Sequence, residues 1–381
     1  MALAYLTVLS IDSALMFTDI QPQGSVARGI LVSKITFFIV ILLRERYNKR
    51  TLGIISILII CAIASYLTTG YTYLASAIMT GVVFQKLDYK KGFKYLFFIR
   101  LSLMLIVNVF SLVGVFDICQ RVVIKSYGTV VGYGLGYNHP NRYAYSYIFL
   151  QMTLICWKNN RIKWNDYFII SLIGGLGYSI TKSRTLLVVT IILLFVILMY
   201  RNPKTNEFVK GFLKKTAVLI YPILAILSLV IPFLIATSNS TLSMWLKKIN
   251  YLLSYRFSII PRVFEFYRVT LFGGIESFAL LNQKYNYSTI DNGYIRLLFG
   301  FGIMGIAVFM TMFVVSIWKL QVRGEYIYII CAITTAAWGL SENIIMYDSF
   351  NISILFWGIV FIKTQTRLTK AAISVEGDSQ Q

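Results

Sequence analysis

Residues 181–215 read TKSRTLLVVTIILLFVILMYRNPKTNEFVKGFLKK. Between Arg184 and Arg201 stand sixteen residues without a charge, and all but two of them are apolar. With its flanks this run approaches the roughly 18–20 residues that a helix needs to cross a bilayer core. In hydrocarbon a backbone must satisfy its own hydrogen bonds, so the run reads as a helix. Five cations follow within fifteen residues: Arg201, Lys204, Lys210, Lys214 and Lys215. The other end carries the tight turn Thr181, Lys182, Ser183, Arg184.

The same pattern recurs along all 381 residues, which are 57% hydrophobic and only 13% charged. Apolar runs fall at roughly 2–18, 26–43, 52–69, 71–86, 95–116, 143–157, 166–181, 185–200, 216–236, 293–318, 326–340 and 350–362. This predicts an all-α polytopic membrane protein of about twelve spans, forming a single integral membrane domain over 1–381. The N-terminus lacks the charged region and cleavage site of a removable signal peptide, so the first span is expected to remain as an anchor. Residues 237–292 form a connection far longer than the others, and the polar tail 363–381 is expected to be disordered.

The charges orient the bundle. Arg44, Arg46, Lys49 and Arg50 form one cluster, and Lys86, Lys90, Lys91 and Lys94 form the next. Lys158, Arg161 and Lys163 follow, then the cluster at 201–215, then Lys319 and Arg323, then Lys363, Arg367 and Lys370. They occupy every second loop, so all can face the cytoplasm together, with both termini on that side. The formal net charge of +21 is then mostly topogenic. No soluble basic domain or recognition motif accompanies it, which argues against a nucleic-acid partner. Cys61, Cys156 and Cys331 lie in spans and Cys119 at a span end, with no zinc or disulfide spacing. With one histidine and few acids, no metal site is read.

The remaining polar chemistry falls on the opposite, outer face, in four places. In the connection 117–142, a glycine-punctuated turn over Tyr133–Gly136 leads to Asn138, His139, Pro140, Asn141 and Arg142. Asn141 is a natural N-cap, and His139, the only histidine, sits in a turn of defined shape. The second place is the turn with Lys182 and Arg184, whose cations suit either lipid headgroups or an anion clamp. The third is the long loop. There Leu242, Trp245, Leu246, Ile249, Leu252 and Leu253 recur at helical spacing, predicting an amphipathic helix on the membrane surface or over the bundle. A second helix, opened by Pro261 and closed by Gly273 and Gly274, carries Arg262, Glu265 and Arg268 on one face. These three serve either as surface ion pairs or, with Arg256, as phosphate ligands, since guanidinium presents a planar fork of donors. The fourth place is the turn Gly339–Asn343 with Glu342, with Asp348 close by. Asp291, Asn292 and Tyr294 enter the next span from the same side, as polar caps or as a carboxylate source.

At these residues the chain resembles the Wzy-type polysaccharide polymerases and, more broadly, the O-antigen ligase superfamily. Gly136-Tyr137-Asn138-His139-Pro140-Asn141 looks like their G-x-x-H-x-N or G-x-x-N-P-N turn, and Ser183-Arg184-Thr185 is similar to their SRT helix start. Arg262, ten residues, then Gly273 is similar to an Arg-x10-Gly pattern in the large outer loop. Asp291-Asn292-Gly293-Tyr294, leading into Leu297-Leu298 and Gly302, is like their DNxYL…G segment. The ligases carry a key histidine in the large loop. This loop has none, which favours polymerase over ligase.

The resemblance implies a GT-C-like membrane protein in the bacterial cytoplasmic membrane. It implies transfer of a growing glycan from undecaprenyl diphosphate to a lipid-linked repeat unit, with no cofactor and no metal. A flippase and a chain-length regulator of the same pathway are the implied partners. Arg184, Arg256, Arg262 and Arg268 are then candidates to bind the diphosphate. Glu265, His139 and Asp291 are candidates for the catalytic base. Lys182, Asn141, Arg142, Tyr294 and Glu342 are supporting candidates. An O-antigen-ligase-like transferase is one rival. A lipid-linked oligosaccharide flippase is the other, although spans poor in charge apart from Asp12 and Lys34 favour surface chemistry over passage.

Overall fold

The computed structural model describes residues 1–18, 24–45, 47–125, 128–237, 241–252, 255–274, 278–285, 287 and 289–362. The expected disordered tail 363–381 lies outside these. The chain runs α1 (Ala2–Met16), α2 (Gly24–Arg44), α3 (Lys49–Thr69), α4 (Tyr73–Phe84), α5 (Tyr89–Leu112), β1 (Gln120–Lys125), β2 (Gly128–Tyr133) and α6 (Pro140–Lys158). It continues through α7 (Trp164–Thr181), α8 (Arg184–Arg201), α9 (Asn206–Thr237), α10 (Thr241–Leu252), α11 (Ile260–Phe266), α12 (Ala279–Tyr285), α13 (Gly293–Arg323), α14 (Tyr326–Trp338) and α15 (Ile352–Leu355), the last extended by a 3-10 helix at Phe356–Phe361. Six helices, α2, α3, α5, α8, α9 and α13, are long and apolar enough to cross a membrane. Helices α4, α6 and α14 and the segment 352–361 are buried along nearly their whole length and form the centre. Around them α2, α3, α8 and α9 expose apolar faces such as Val32, Ile57, Phe195 and Ile226, as helices in lipid do.

Of the twelve expected spans, four are apolar helical segments too short to meet that length, Ala2–Met16, Tyr73–Phe84, Tyr326–Trp338 and Ile352–Phe361, and two expected spans differ in form. The segment 350–362 is a ten-residue helical piece, Ile352–Phe361, packed against α4 and α13. At 1.5 Å per residue it covers about half a bilayer core. The span 293–318 is two helices, because α13 is broken at Gly302 (φ 70°, ψ −167°). The break is filled by the end of the long loop. Ile303 N–H donates to Thr270 O (3.1 Å), Met304 N–H to Leu271 O (2.9 Å), and Gly274 N–H to Gly300 O (3.4 Å). The loop thus caps the helix ends exposed by the break. A Cβ on Gly273 would overlap the Gly300 carbonyl.

The interior carries more charge than the sequence reading allowed. Lys34 Nζ meets Asp12 at 2.5 Å and donates to Ser76 Oγ at 3.1 Å. Ser76 and Thr80 both donate to Asp348 Oδ2 at 2.7 Å. Asp348, expected near the membrane surface, is therefore buried against α4. Arg100, also buried, bonds Ser13 and the Ser349 carbonyl and lies over Phe149. Two cations and two carboxylates leave this network neutral, as buried charges require.

The basic loops share one end of the bundle. Lys86 pairs with Glu45 (2.5 Å), Arg201 donates to Asn160 O (2.7 Å), Asn159 to Glu325 (3.2 Å), and Gln321 to Leu213 O (2.8 Å). The β1–β2 hairpin, the His139 turn, the 182–183 turn, α10–α12 and the turn after α14 gather at the other. The hairpin (Gln120↔Tyr133 to Lys125↔Gly128) is absent from the sequence reading. Its signal was Val122, Val123 and Ile124 against Thr129, Val130 and Val131, β-branched runs that suit a strand.

Candidate functional site

The site is built on Glu342, which is 1% exposed. Asn292 caps α13 by accepting from Tyr294 and Ile295 N–H, and donates to Leu340 O at 3.1 Å. Gly293 N–H donates to Gly339 O at 2.8 Å. These bonds join the start of α13 to the turn after α14 and fix Glu342 between them. Tyr145 of α6 donates to Glu342 Oε2 (2.6 Å), Thr185 of α8 donates to Oε1 (3.2 Å), and Arg256 Nη1 lies 2.7 Å from Oε1. Three separate parts of the chain converge on one carboxylate.

Arg256 is placed by a residue that sequence reasoning missed. Asn250, buried in α10, accepts Phe257 N–H (3.0 Å) and donates to Ser258 Oγ (2.7 Å), while its carbonyl accepts Tyr255 N–H (2.8 Å). The turn carrying Arg256 is thereby clasped, and Phe257 anchors it in a small core with Ile235, Ile260 and Phe299. The stripe expected on α10 is exposed at Leu242 and Trp245, as on a helix lying at a membrane surface, while Leu246 packs on the small core and Leu253 lies outside the described residues. Ser243 and Asn250 face the protein, while Leu242, Met244 and Trp245 are exposed. Arg256 Nε also lies 3.5 Å from Asp291 Oδ2, and Asp291 accepts from Tyr287 and Thr289. Burial pushes the Arg256 pKa down, but Glu342 and Asp291 outweigh it, so the guanidinium is held charged above its ordinary range. Burial, with Asp291 adding to it, raises the Glu342 carboxyl against the pull of Arg256.

Above this pair opens a cavity of about 830 Å³. Arg121, His139, Lys182, Arg184 and Arg256 line its polar part, and among the described residues no carboxylate lines it. Its apolar wall is α8, where Arg184, Val188 and Ile192 all stand exposed at four-residue spacing. That spacing stacks them on one helix face, with a cation at the end and a hydrocarbon rail beneath. Gly132 of β2 packs against the Thr181 carbonyl so closely that a Cβ would overlap it, which brings the hairpin over the cavity.

His139, not Asn141, is the N-cap of α6: its Nδ1 accepts Asn141 N–H at 3.0 Å, and Pro140 occupies the first turn. The neutral ring then carries its proton on Nε2 and is a donor on the cavity wall. Burial, then Arg121 and Arg142, lower its pKa to about 4, with Asp291 opposing. The ring is therefore neutral above that pH, and its share of stability, intact above pH ~6.5, is lost as pH falls toward 4. His139→Asn retains a capping oxygen, but its shorter amide does not carry a donor to the position of Nε2. It is expected to leave thermal unfolding nearly unchanged and, if the cavity is a transferase site, to lower turnover about tenfold or more. His139→Ala should also lose about 1 kcal/mol of stability. Between pH 5.5 and 8 the wild-type rate profile should show no step from His139.

Of the other expected residues, Asn141 lines the cavity. Arg142 is turned away, bonding Asn138 and lying over Phe17, and Tyr294 is buried on Ala336 O. Arg262, Glu265 and Arg268 are exposed and do not line the cavity. Arg262 pairs with Glu265 at 3.5 Å and lies over Tyr285, an exposed contact of small energetic weight. Helix α11 ends at Phe266, so Arg268 is not on it. Comparison with protein-family models, with curated proteins and with solved structures returns no match.

Proposed function

We propose that this chain is a glycosyltransferase that polymerises oligosaccharide repeat units carried on undecaprenyl diphosphate, at the outer face of a bacterial cytoplasmic membrane. The observation that carries the reading is the cavity itself. Three arginines, a lysine and a neutral imidazole donor sit directly above an apolar rail on a membrane-length helix. That combination suits a ligand with an anionic head and a hydrocarbon tail. In the proposed reaction the anomeric C–O bond to the diphosphate breaks as an acceptor hydroxyl bonds that carbon. Arg184 and Arg256 take up charge developing on the departing diphosphate. Asp291, half-buried beside Arg256 but outside the cavity lining, takes the hydroxyl proton through one intervening water. His139 donates from Nε2. The basic loops at the far end of the bundle support cytoplasmic termini.

A second reading, a flippase for the same lipid, draws on the charged network of Asp12, Lys34, Arg100 and Asp348. That network is neutral and packed, and the space beside Arg100 is only about 10 Å³, enough for one water at most. An O-antigen-ligase-like transferase would use the same cavity with a different acceptor. Purified protein in nanodiscs, given an undecaprenyl-diphosphate repeat unit, should produce a ladder of increasing glycan length with lipid diphosphate released. A folded protein that yields no ladder, but moves the lipid across vesicles, would transfer the assignment to the flippase.

A further inference from the structure

We propose that a second groove beside the main cavity is a glycan subsite, selective for oligosaccharides that carry acidic groups. It rests on the glycosyltransferase reading and names the sugar class that the site takes. The groove has a volume of about 620 Å³ and is lined by Lys247, Lys248, Tyr251, Tyr255, Ser258 and neighbouring residues. Tyr251 and Tyr255 line both this groove and the main cavity, so they form the sill between them. Their rings meet edge to face at 5.6 Å and are 52% and 59% exposed.

Each ring of this pair leaves a large apolar surface open. The apolar C–H face of a pyranose ring stacks on such surfaces, while the phenol hydroxyls reach sugar hydroxyls. Tyr255 also adopts φ 59°, a left-handed conformation that a bulky residue rarely takes. It is held there by the Asn250 clasp that places Arg256. Backbone strain at an exposed aromatic beside a reactive arginine indicates a position fixed by use rather than packing. Lys247 and Lys248 are both exposed on α10, Lys248 resting over Trp245 at 4.5 Å. Among the described residues no carboxylate lines the groove, so its field attracts negative charge.

The test uses the full chain in nanodiscs and two lipid-free probes, hexagalacturonate and maltohexaose, with binding read by saturation-transfer NMR and titration. Hexagalacturonate should bind at least about tenfold tighter than maltohexaose. Tyr251→Ala and Tyr255→Gly should each weaken both by about tenfold. Glycine accepts the native φ at Tyr255, so that variant keeps the fold, and its melting temperature should not fall. Lys247→Gln with Lys248→Gln should remove the preference for the acidic probe while leaving maltohexaose binding unchanged. Wild type that binds neither probe, or variants that bind as wild type does, overturns the subsite and leaves α10 as a bilayer-contacting helix. Because no lipid diphosphate is present, this result is separate from the ladder assay. Oligosaccharide binding without a ladder would count against the transferase reading alone.

Discussion

Arg256→Ala is expected to reduce transfer at least about a hundredfold and to destabilise the fold by about 3 kcal/mol. The first effect is the loss of a preorganised cation facing the departing diphosphate, of the size seen when such a donor is removed. The second arises because Glu342, 1% exposed, would be left without its cation. The two separate in a double variant. Arg256→Ala with Glu342→Gln removes the stranded charge, keeps a carbonyl acceptor for one of the Tyr145 and Thr185 hydroxyls and offers its NH2 to the oxygen of the other. It should recover most of the melting temperature and none of the rate. Polymer formation returning together with stability would make Arg256 a structural brace and nothing more.

Gly302→Ala should destabilise the molecule by about 3–5 kcal/mol. Its φ and ψ lie in a region open essentially to glycine alone. The new Cβ would stand 2.5 Å from both Thr270 O and Leu271 O, the carbonyls that cap the lower half of α13, adding an overpacking cost. Gly300→Ala is the control two residues away. A Cβ there meets nothing within 4 Å, and alanine favours the helix by about 0.5–1 kcal/mol. Thermal unfolding of the two variants in detergent should move in opposite directions. Equal shifts would mean that the docking of the loop into α13 contributes little.

Much of this architecture was legible from local signals. Apolar runs and alternating basic loops located the long helices and the end at which basic charge gathers, because both signals are properties of short windows. The His139 turn, the 181–184 turn and the segments at 291–294 and 339–343 were singled out and do come together. Their joining contacts were not legible. Glu342 meets Tyr145, Thr185 and Arg256 across separations of many tens of residues, and no periodicity encodes such a meeting. Arg262, Glu265 and Arg268 were ranked beside Arg256 by residue type and proximity in the chain, yet only Arg256 is carried to the cavity, by a clasp from Asn250 that looked like an ordinary polar position. Gly273 was noticed for its spacing from Arg262. Its physical reason is the close approach to the Gly300 carbonyl, a contact that local pattern does not contain. The buried Asp348 escaped for the same reason, reading as a surface charge until its partners are known, whereas Arg100 lies inside the expected span 95–116 and was not singled out there.

The Lys34–Asp12 pair bears on how the protein is made. A lysine at the middle of a helix opposes entry into the bilayer by about 2.5–3.5 kcal/mol. Its counter-ion here lies on the preceding helix, which has emerged from the ribosome before α2 is complete. Helices α1 and α2 therefore suit joint release from the insertion machinery as a neutral hairpin. Ser76 and Asp348, which arrive much later, then tie that hairpin to the finished assembly.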